Sequence, residues 1–238
     1  MDDVAVRRRD LWTSSTRPMR RIVVFDLDDT LYPEEQYILS GFRAVADWLK
    51  VQHDIADFYS EAKSFFDTGS RGNVFDLVLQ KLGHQPDKLF VNQLVRVYRE
   101  HPPQLRLFED ADWAIKEFQA RGPLALLSDG YLIAQKNKLV SLGIADSFQV
   151  IMFSDTLGRE FWKPSPTPYQ KIMEQIPGEP SEFVYVADNP NKDFVTPRRL
   201  GWETIHIDRP GGLYAQANVP PEYEANHVIS SLFSLANL

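Results

Sequence analysis

Residues 21–31 read Arg21-Ile22-Val23-Val24-Phe25-Asp26-Leu27-Asp28-Asp29-Thr30-Leu31. β-Branched and aromatic residues give way within one step to three carboxylates and a hydroxyl. That is the pattern of a buried strand whose carboxyl end opens into a site. Side chains of an extended strand alternate in direction, so Asp26 and Asp28 point the same way if the strand simply continues. Two like charges that close repel, and burying them without a counter-charge is costly, so a cation is expected beside them. Oxygen-rich surroundings without thiolates suit Mg²⁺, which takes one or two carboxylates and keeps positions for water and substrate oxygens. The plainer alternative is a strand-to-turn junction whose aspartates cap nearby amides.

The rest of the chain is long enough, at 238 residues, for one sizeable core and a smaller lobe. A formal charge of −7 argues against a general nucleic-acid or anionic-membrane binder, which needs a net basic face. Zero cysteines exclude disulfides, thiolate metal sites and a cysteine nucleophile. No stretch approaches the roughly 20 apolar residues of a membrane span. The first residues include Arg7-Arg8-Arg9 but no apolar run before a cleavage site, so a cytoplasmic location is expected.

Residues 1–19 read as a polar, loosely ordered lead-in. After Pro33 the hydrophobic period changes from strand to helix. Four apolar stripes follow, led by Phe42 and Val45, by Phe58 and Ala62, by Val74 and Val78, and by Leu94 and Val97. They end at His101-Pro102-Pro103, where a helix cannot continue. Residues 34–103 therefore read as a helical insert between a first strand and the rest of a sheet, with residues 20–33 and 104–238 forming the α/β core. In that core, helical patterns alternate with strands at 124–127, 148–153, 183–187 and 203–207. Ser165-Pro166 offers an N-cap and a first-turn proline for one of the helices. The alternation predicts a mainly parallel sheet with helices on both faces, in which ligands bind beyond the carboxyl ends of the strands.

Asp26, Asp28, Ser128 and Asp188 all fall at such ends, and Lys163, between Trp162 and Pro164 just before a helix start, supplies a basic group. Taken alone, Lys163 also reads as an exposed loop lysine. Together these parts suit phosphoryl transfer from a monoester to water through a carboxylate. A dianionic phosphate approaching an anionic nucleophile needs Mg²⁺ and a lysine to offset the repulsion. Asp26 is expected to attack and form an aspartyl-phosphate, while Asp28 protonates the leaving group and then deprotonates the attacking water. Ser128 and the amides of Asp129 and Gly130 offer donors to the phosphate oxygens. Asp188 would complete the magnesium site, with Asp193 ordering it or a metal-bound water from behind.

Asp26-Leu27-Asp28-Asp29-Thr30, Ser128, Lys163 and Asp188-Asn189-Pro190-Asn191-Lys192-Asp193 resemble, in order, the four motifs of the haloacid dehalogenase-like superfamily. The resemblance runs over residues 21–208. It implies a Rossmann-like core, Mg²⁺ dependence and a helical cap inserted after the first motif, the cap-type-one arrangement. It further makes Asp26 both nucleophile and metal ligand, and gives the Asp28 backbone carbonyl to the metal. Thr30 supports the loop, Ser128 and Lys163 hold the phosphoryl group, and Asp188 is the last protein ligand. The chain departs from the pattern at Asp129, where many relatives carry asparagine. This carboxylate either turns away from the phosphate pocket or lowers its affinity. Ala187 stands where glycine commonly precedes the last aspartate.

The superfamily's true dehalogenases lack the second aspartate that Asp28 supplies, and a phosphonate hydrolase would need an imine-forming lysine for which Lys50 and Lys63 lack a suggestive context. The resemblance thus implies a small phosphate monoester as the partner. Arg71, between Gly69 and Gly72, resembles the basic residue of a substrate-specificity loop and is equally readable as ordinary loop exposure. Tyr32, Gln36, Tyr37 and Arg43 beside the hinge are further specificity candidates. Phe25 to Pro33 also resembles the opening of pyrimidine 5′-nucleotidases, so sugar phosphates and nucleoside monophosphates both stay open. A phosphomutase, and a non-catalytic binding module retaining the fold, are the alternatives. Oligomeric state is not encoded in any of these features.

Overall fold

The computed structural model describes residues 21–237 apart from Pro86, Leu213, Ala215 and Gln216. The lead-in expected over residues 1–19 lies outside the described residues.

The expected strands form β1 (Ile22–Phe25), β2 (Leu124–Ser128), β3 (Val150–Phe153), β4 (Phe183–Ala187) and β5 (Glu203–Ile207). A further short strand, β6 (His227–Ile229), follows them. All pair in parallel, in the order β3-β2-β1-β4-β5-β6. This is the doubly wound order, in which the chain reverses direction across the sheet beside β1 and leaves a crevice beyond the strand ends. Asp26 stands at that point.

Alternation along the strands divides their side chains between two apolar clusters. On one face Val23, Phe25, Leu124, Leu126, Val184 and Val186 pack with residues of α5 (Glu109–Arg121) and α6 (Leu132–Leu142). On the other face Ile22, Val24, Ala125, Leu127 and Tyr185 pack with Tyr169 and Ile172 of α7 (Thr167–Gln175). Strands covered on both sides must be apolar throughout, which is why their sequences read as continuous runs. Helix α7 begins one residue after the expected Ser165-Pro166 start, with Ser165 Oγ accepting the Thr167 amide at 3.4 Å. Helix α6 ends at Gly143, whose φ of +66° lets its N–H reach the Leu139 and Val140 carbonyls.

Between β1 and α5 lie α1 (Glu34–His53), α2 (Phe58–Asp67), α3 (Val74–Lys81) and α4 (Lys88–Glu100). Their apolar stripes close on one another around Phe42, Val45, Leu49, Phe58, Val78 and Leu94, a third cluster with its own members. No helix among the described residues is long and apolar enough to cross a membrane.

Candidate active site

Strand β1 ends at Phe25, and Asp26 remains tied to the sheet through its amide, which donates to the Val186 carbonyl at 2.9 Å. The chain then turns instead of continuing as a strand. The Leu31 amide donates to the Leu27 carbonyl at 3.0 Å, and Asp29 adopts φ +51°. Asp26 and Asp28, separated by one residue, meet different cations, Lys163 and Lys138.

Asp26 Oδ1 lies 2.7 Å from Lys163 Nζ, and the same ammonium stands 2.7 Å from Asp193 Oδ1 and 3.0 Å from the Tyr185 hydroxyl. Asp193 is fully buried, held by the Tyr185 hydroxyl at 3.3 Å and by the Asn189 amide at 3.1 Å. Tyr169 donates to its backbone carbonyl at 3.2 Å. Carboxylate oxygens of Asp26, Asp188 and Asp193 lie within 4.8 Å of one another. The Asp188 backbone carbonyl is 2.8 Å from His206 Nε2.

Lys163, with Lys192 acting on Asp26 less strongly, leaves part of the charge of three carboxylates uncompensated. Burial, followed by the neighbouring Asp26 and Asp193 charges, holds the Asp188 carboxyl well above the ordinary carboxylate range. Asp26 is pushed up to about 6, chiefly by burial, with Lys163 opposing and Asp193 adding. A hard-oxygen cluster strained by its own charge is a fitting donor set for a divalent cation such as Mg²⁺, which would relieve the repulsion.

The Asp129 carboxylate faces a separate group of donors. Oδ1 accepts the Ser154 hydroxyl at 2.6 Å and the Lys163 amide at 3.2 Å, and Oδ2 lies 3.2 Å from Lys192 Nζ. Its side chain is thus spent on fixing the Lys163 loop. Ser128 Oγ, at the end of β2, donates to Gln135 Oε1 at 3.1 Å.

Asp28 meets Lys138 on α6, 2.7 Å from its Oδ1. Tyr32 donates its hydroxyl to the same oxygen, and Gln135 Nε2 donates to Oδ2 at 3.3 Å. Burial alone would raise this carboxyl. The charge and hydrogen bond of Lys138, with Tyr32 and Gln135, outweigh burial and hold it below the ordinary range. Thr30 is fully buried, and its carbonyl accepts Arg209 at 2.9 Å.

Of the specificity candidates, Tyr32 is fully buried against Asp28, whereas Arg71 is exposed. Arg71 donates to the Phe66 and Ser70 carbonyls at 2.9 and 2.8 Å and lies over the Phe66 ring. It borders a cavity of about 350 Å³ that is also lined by Tyr37, Phe42, Arg99, Tyr131 and Lys138.

The family model described as haloacid dehalogenase-like hydrolase matches residues 23–207, a span containing Asp26, Asp28, Ser128, Lys163, Asp188 and Asp193. The chain belongs to the haloacid dehalogenase-like hydrolases. Among curated members, this hydrolase is 29% identical over 200 residues to the glyceraldehyde 3-phosphate phosphatase of Methanopyrus kandleri, covering 80% of this chain and 85% of that one. It is 29% identical over 140 residues to the phosphoserine phosphatase of Thermus thermophilus, covering 58% and 55%. Among solved structures, the HAD-hydrolase YfnB from Bacillus subtilis, described as bound to magnesium, superposes with a TM-score of 0.67 at 20% identity. That match covers 92% of this chain and 98% of YfnB and speaks for the fold.

Tyr185, Gln135, Lys138, Ser154 and Arg209 are site residues that the sequence of this haloacid dehalogenase-like hydrolase does not single out. Tyr185 carried a faint signal, a phenol in a strand otherwise of Phe, Val and Ala. Gln135 and Lys138 carried none, because polar helix positions ordinarily face solvent.

Proposed function

We propose that this hydrolase is a Mg²⁺-dependent phosphatase of small phosphate monoesters that works through an aspartyl-phosphate on Asp26. The observation that carries this reading is the Asp26 carboxylate at the end of β1, 2.7 Å from the buried Lys163 ammonium and within the Asp26, Asp188 and Asp193 cluster. Asp26, Asp188 and the Asp28 backbone carbonyl would hold the metal, with Asp193 fixing Lys163 behind them. Bound there, Mg²⁺ supplies charge neutralisation for the carboxylates and the substrate's phosphate.

The chain's own groups do the rest. Asp26 attacks phosphorus with a carboxylate oxygen. The bond from phosphorus to the leaving oxygen breaks, and Asp28, kept mostly ionised by Lys138 against the cost of its burial, acts through its minor carboxyl form to give that oxygen a proton. Asp28, now a carboxylate, takes a proton from water as the water oxygen bonds to phosphorus. The bond to Asp26 breaks, which releases inorganic phosphate and restores both side chains. Lys163, held in its charged form by Asp193 and Asp26 against the cost of its burial, offsets charge on the phosphoryl oxygens. Ser128 and the amides of Asp129 and Gly130 donate to the same oxygens.

The helices α1 to α4 act in this reading as a cap that covers the leaving group and excludes water. The cavity of about 350 Å³ beneath them has room for a small leaving group, with Arg71 at its rim. The names of the curated relatives, a glyceraldehyde 3-phosphate phosphatase and a phosphoserine phosphatase, support small phosphate monoesters as the class; within it a sugar phosphate or a nucleoside monophosphate is the substrate we propose.

The test is a screen of phosphate monoesters with and without Mg²⁺, following inorganic phosphate. Metal-dependent release that Asp26→Asn lowers by at least about 10³-fold is the expected result. Isomerisation without phosphate release would assign a mutase, and turnover unaffected by Asp26→Asn would remove the nucleophile.

A further inference from the structure

Gln135 and Lys138 have no part in the reaction as described so far. Each is 3% exposed, and at i and i+3 on α6 they share one face. Burying a lysine is costly unless its charge is answered. The answer for Lys138 is Asp28 Oδ1 at 2.7 Å, and the ammonium also lies 4.4 Å from the centre of the Tyr37 ring. Tyr32 donates to that same oxygen. Asp28 Oδ2 has a single donor among the described residues, the Gln135 amide at 3.3 Å. The other end of that amide accepts Ser128 Oγ at 3.1 Å. The two oxygens of Asp28 are therefore unequal: an ammonium and a phenol anchor Oδ1, while one long bond touches Oδ2.

We propose that Lys138 and Gln135 are positioning residues for Asp28, anchoring Oδ1 so that Oδ2 is the oxygen that gives the leaving group its proton and later takes one from water. The proposal rests on the reading of Asp28 as the acid/base. The part of Lys138 is to fix the carboxyl. Gln135 ties the proton donor to Ser128, so one side-chain amide sets the distance between the phosphate-binding hydroxyl and the acid. Tyr37 belongs to α1 and Lys138 to α6, so the same cation links the aim of Asp28 to the seating of the helices over the core.

The leaving group reads this directly. Phenolate is a poorer leaving group than p-nitrophenolate and depends more on a well-placed proton. kcat/KM reports the step in which the leaving group departs, so the ratio of kcat/KM for phenyl phosphate to that for p-nitrophenyl phosphate measures the acid's alignment. In Lys138→Met this ratio is expected to fall by about 10-fold or more, and Lys138→Arg should bring it back to within about 3-fold of wild type. Competitive inhibition by inorganic phosphate should shift by no more than about 3-fold, since the phosphate pocket is untouched. Gln135→Met, which removes the bonds to Asp28 and Ser128 without removing a charge, should lower the ratio in the same direction by a smaller factor.

A ratio unchanged in both variants overturns the proposal. So does a loss confined to KM and equal for both esters, which would make Lys138 a substrate contact. Asp28→Asn is measured alongside and should lower the ratio at least as far as Lys138→Met. If Asp28→Asn leaves the ratio at the wild-type value, the acid/base reading itself fails. If Asp28→Asn lowers it and the α6 variants do not, only the positioning role fails.

Discussion

Lys163 Nζ stands 2.7 Å from Asp26 Oδ1 and 2.7 Å from Asp193 Oδ1, so a single fully buried ammonium joins the proposed nucleophile to the carboxylate behind it. The pairing makes Lys163 structural and chemical at once. Lys163→Met leaves two buried carboxylates without their cation and is expected to cost about 3–5 kcal/mol of stability. It should also lower turnover by at least about 10²-fold, because charge on the phosphoryl oxygens goes unanswered. Urea unfolding followed by a phosphate-release assay on the folded fraction separates the two effects. Full activity in a folded Lys163→Met protein would remove the lysine from the site.

Burial, Asp26 and Asp193 all oppose the ionised form of Asp188. A divalent cation bound there would supply the counter-charge. Chelation is expected to abolish turnover and added Mg²⁺ to restore it. Asp188→Asn removes one ligand charge and should raise the Mg²⁺ concentration needed for half-maximal activity by about 10–100-fold, the scale of a disturbed metal site. A Mg²⁺ titration of wild type and variant checks this, and coincident curves would move the metal elsewhere.

Arg209 braces the loop that carries Asp26 and Asp28. Its Nη2 donates to the Thr30 carbonyl at 2.9 Å, and its two terminal nitrogens meet Asp110 at 3.0 and 2.9 Å. Burial works against the ionised Asp110. Arg209, the Leu232 amide and the Ser231 hydroxyl outweigh it and hold the carboxyl below its ordinary value of 3.8. A carboxylate depressed in the folded state binds fewer protons folded than unfolded. Its contribution is therefore complete above the ordinary value and is lost as pH falls through the depressed one. Arg209→Met should cost roughly 3 kcal/mol at neutral pH. The gap from wild type should narrow in acid, where Asp110 can be neutralised, and denaturant unfolding across pH 3–7 measures it. A gap constant with pH would mean that Arg209 acts only by packing over Phe108.

Much of this architecture was legible because buried strands have no choice of residue. Ile22 to Phe25, Leu124 to Leu127 and Phe183 to Ala187 are covered on both faces, so the sequence cannot alternate and the strand ends stand out where carboxylates begin. Lys163 was legible from its rigid neighbours. Strand β6 was not, since it is three residues long and sits at the sheet edge with Val228 64% exposed, leaving almost no apolar pattern. Gln135 and Lys138 were not because a polar helix position is buried or solvated according to what covers it, and here the cover is Asp28, over 100 residues earlier in the chain. The different partners of Asp26 and Asp28 were hidden for a related reason. Their cations, Lys163 and Lys138, come from segments over 100 residues later in the chain.

Gly130 offers a last separation of backbone from chemistry. Its φ of +119° is one that residues with a Cβ rarely adopt, and a Cβ built there would clash with Gln135 Nε2. The clashing atom is the free end of a side chain, so Gly130→Ala can be accommodated if Gln135 swings away from Asp28. The strained backbone should then cost about 1–3 kcal/mol in stability. The displaced amide should cost activity in addition. Gln135→Ala removes the clashing atom but not the strain, so in that background Gly130→Ala should retain its stability cost and lose most of its further effect on kcat/KM. A double-mutant cycle of melting temperature and turnover tests this. Strictly additive losses in kcat/KM would mean that Gly130 matters for its backbone alone and that Gln135 is not the group through which the substitution reaches Asp28.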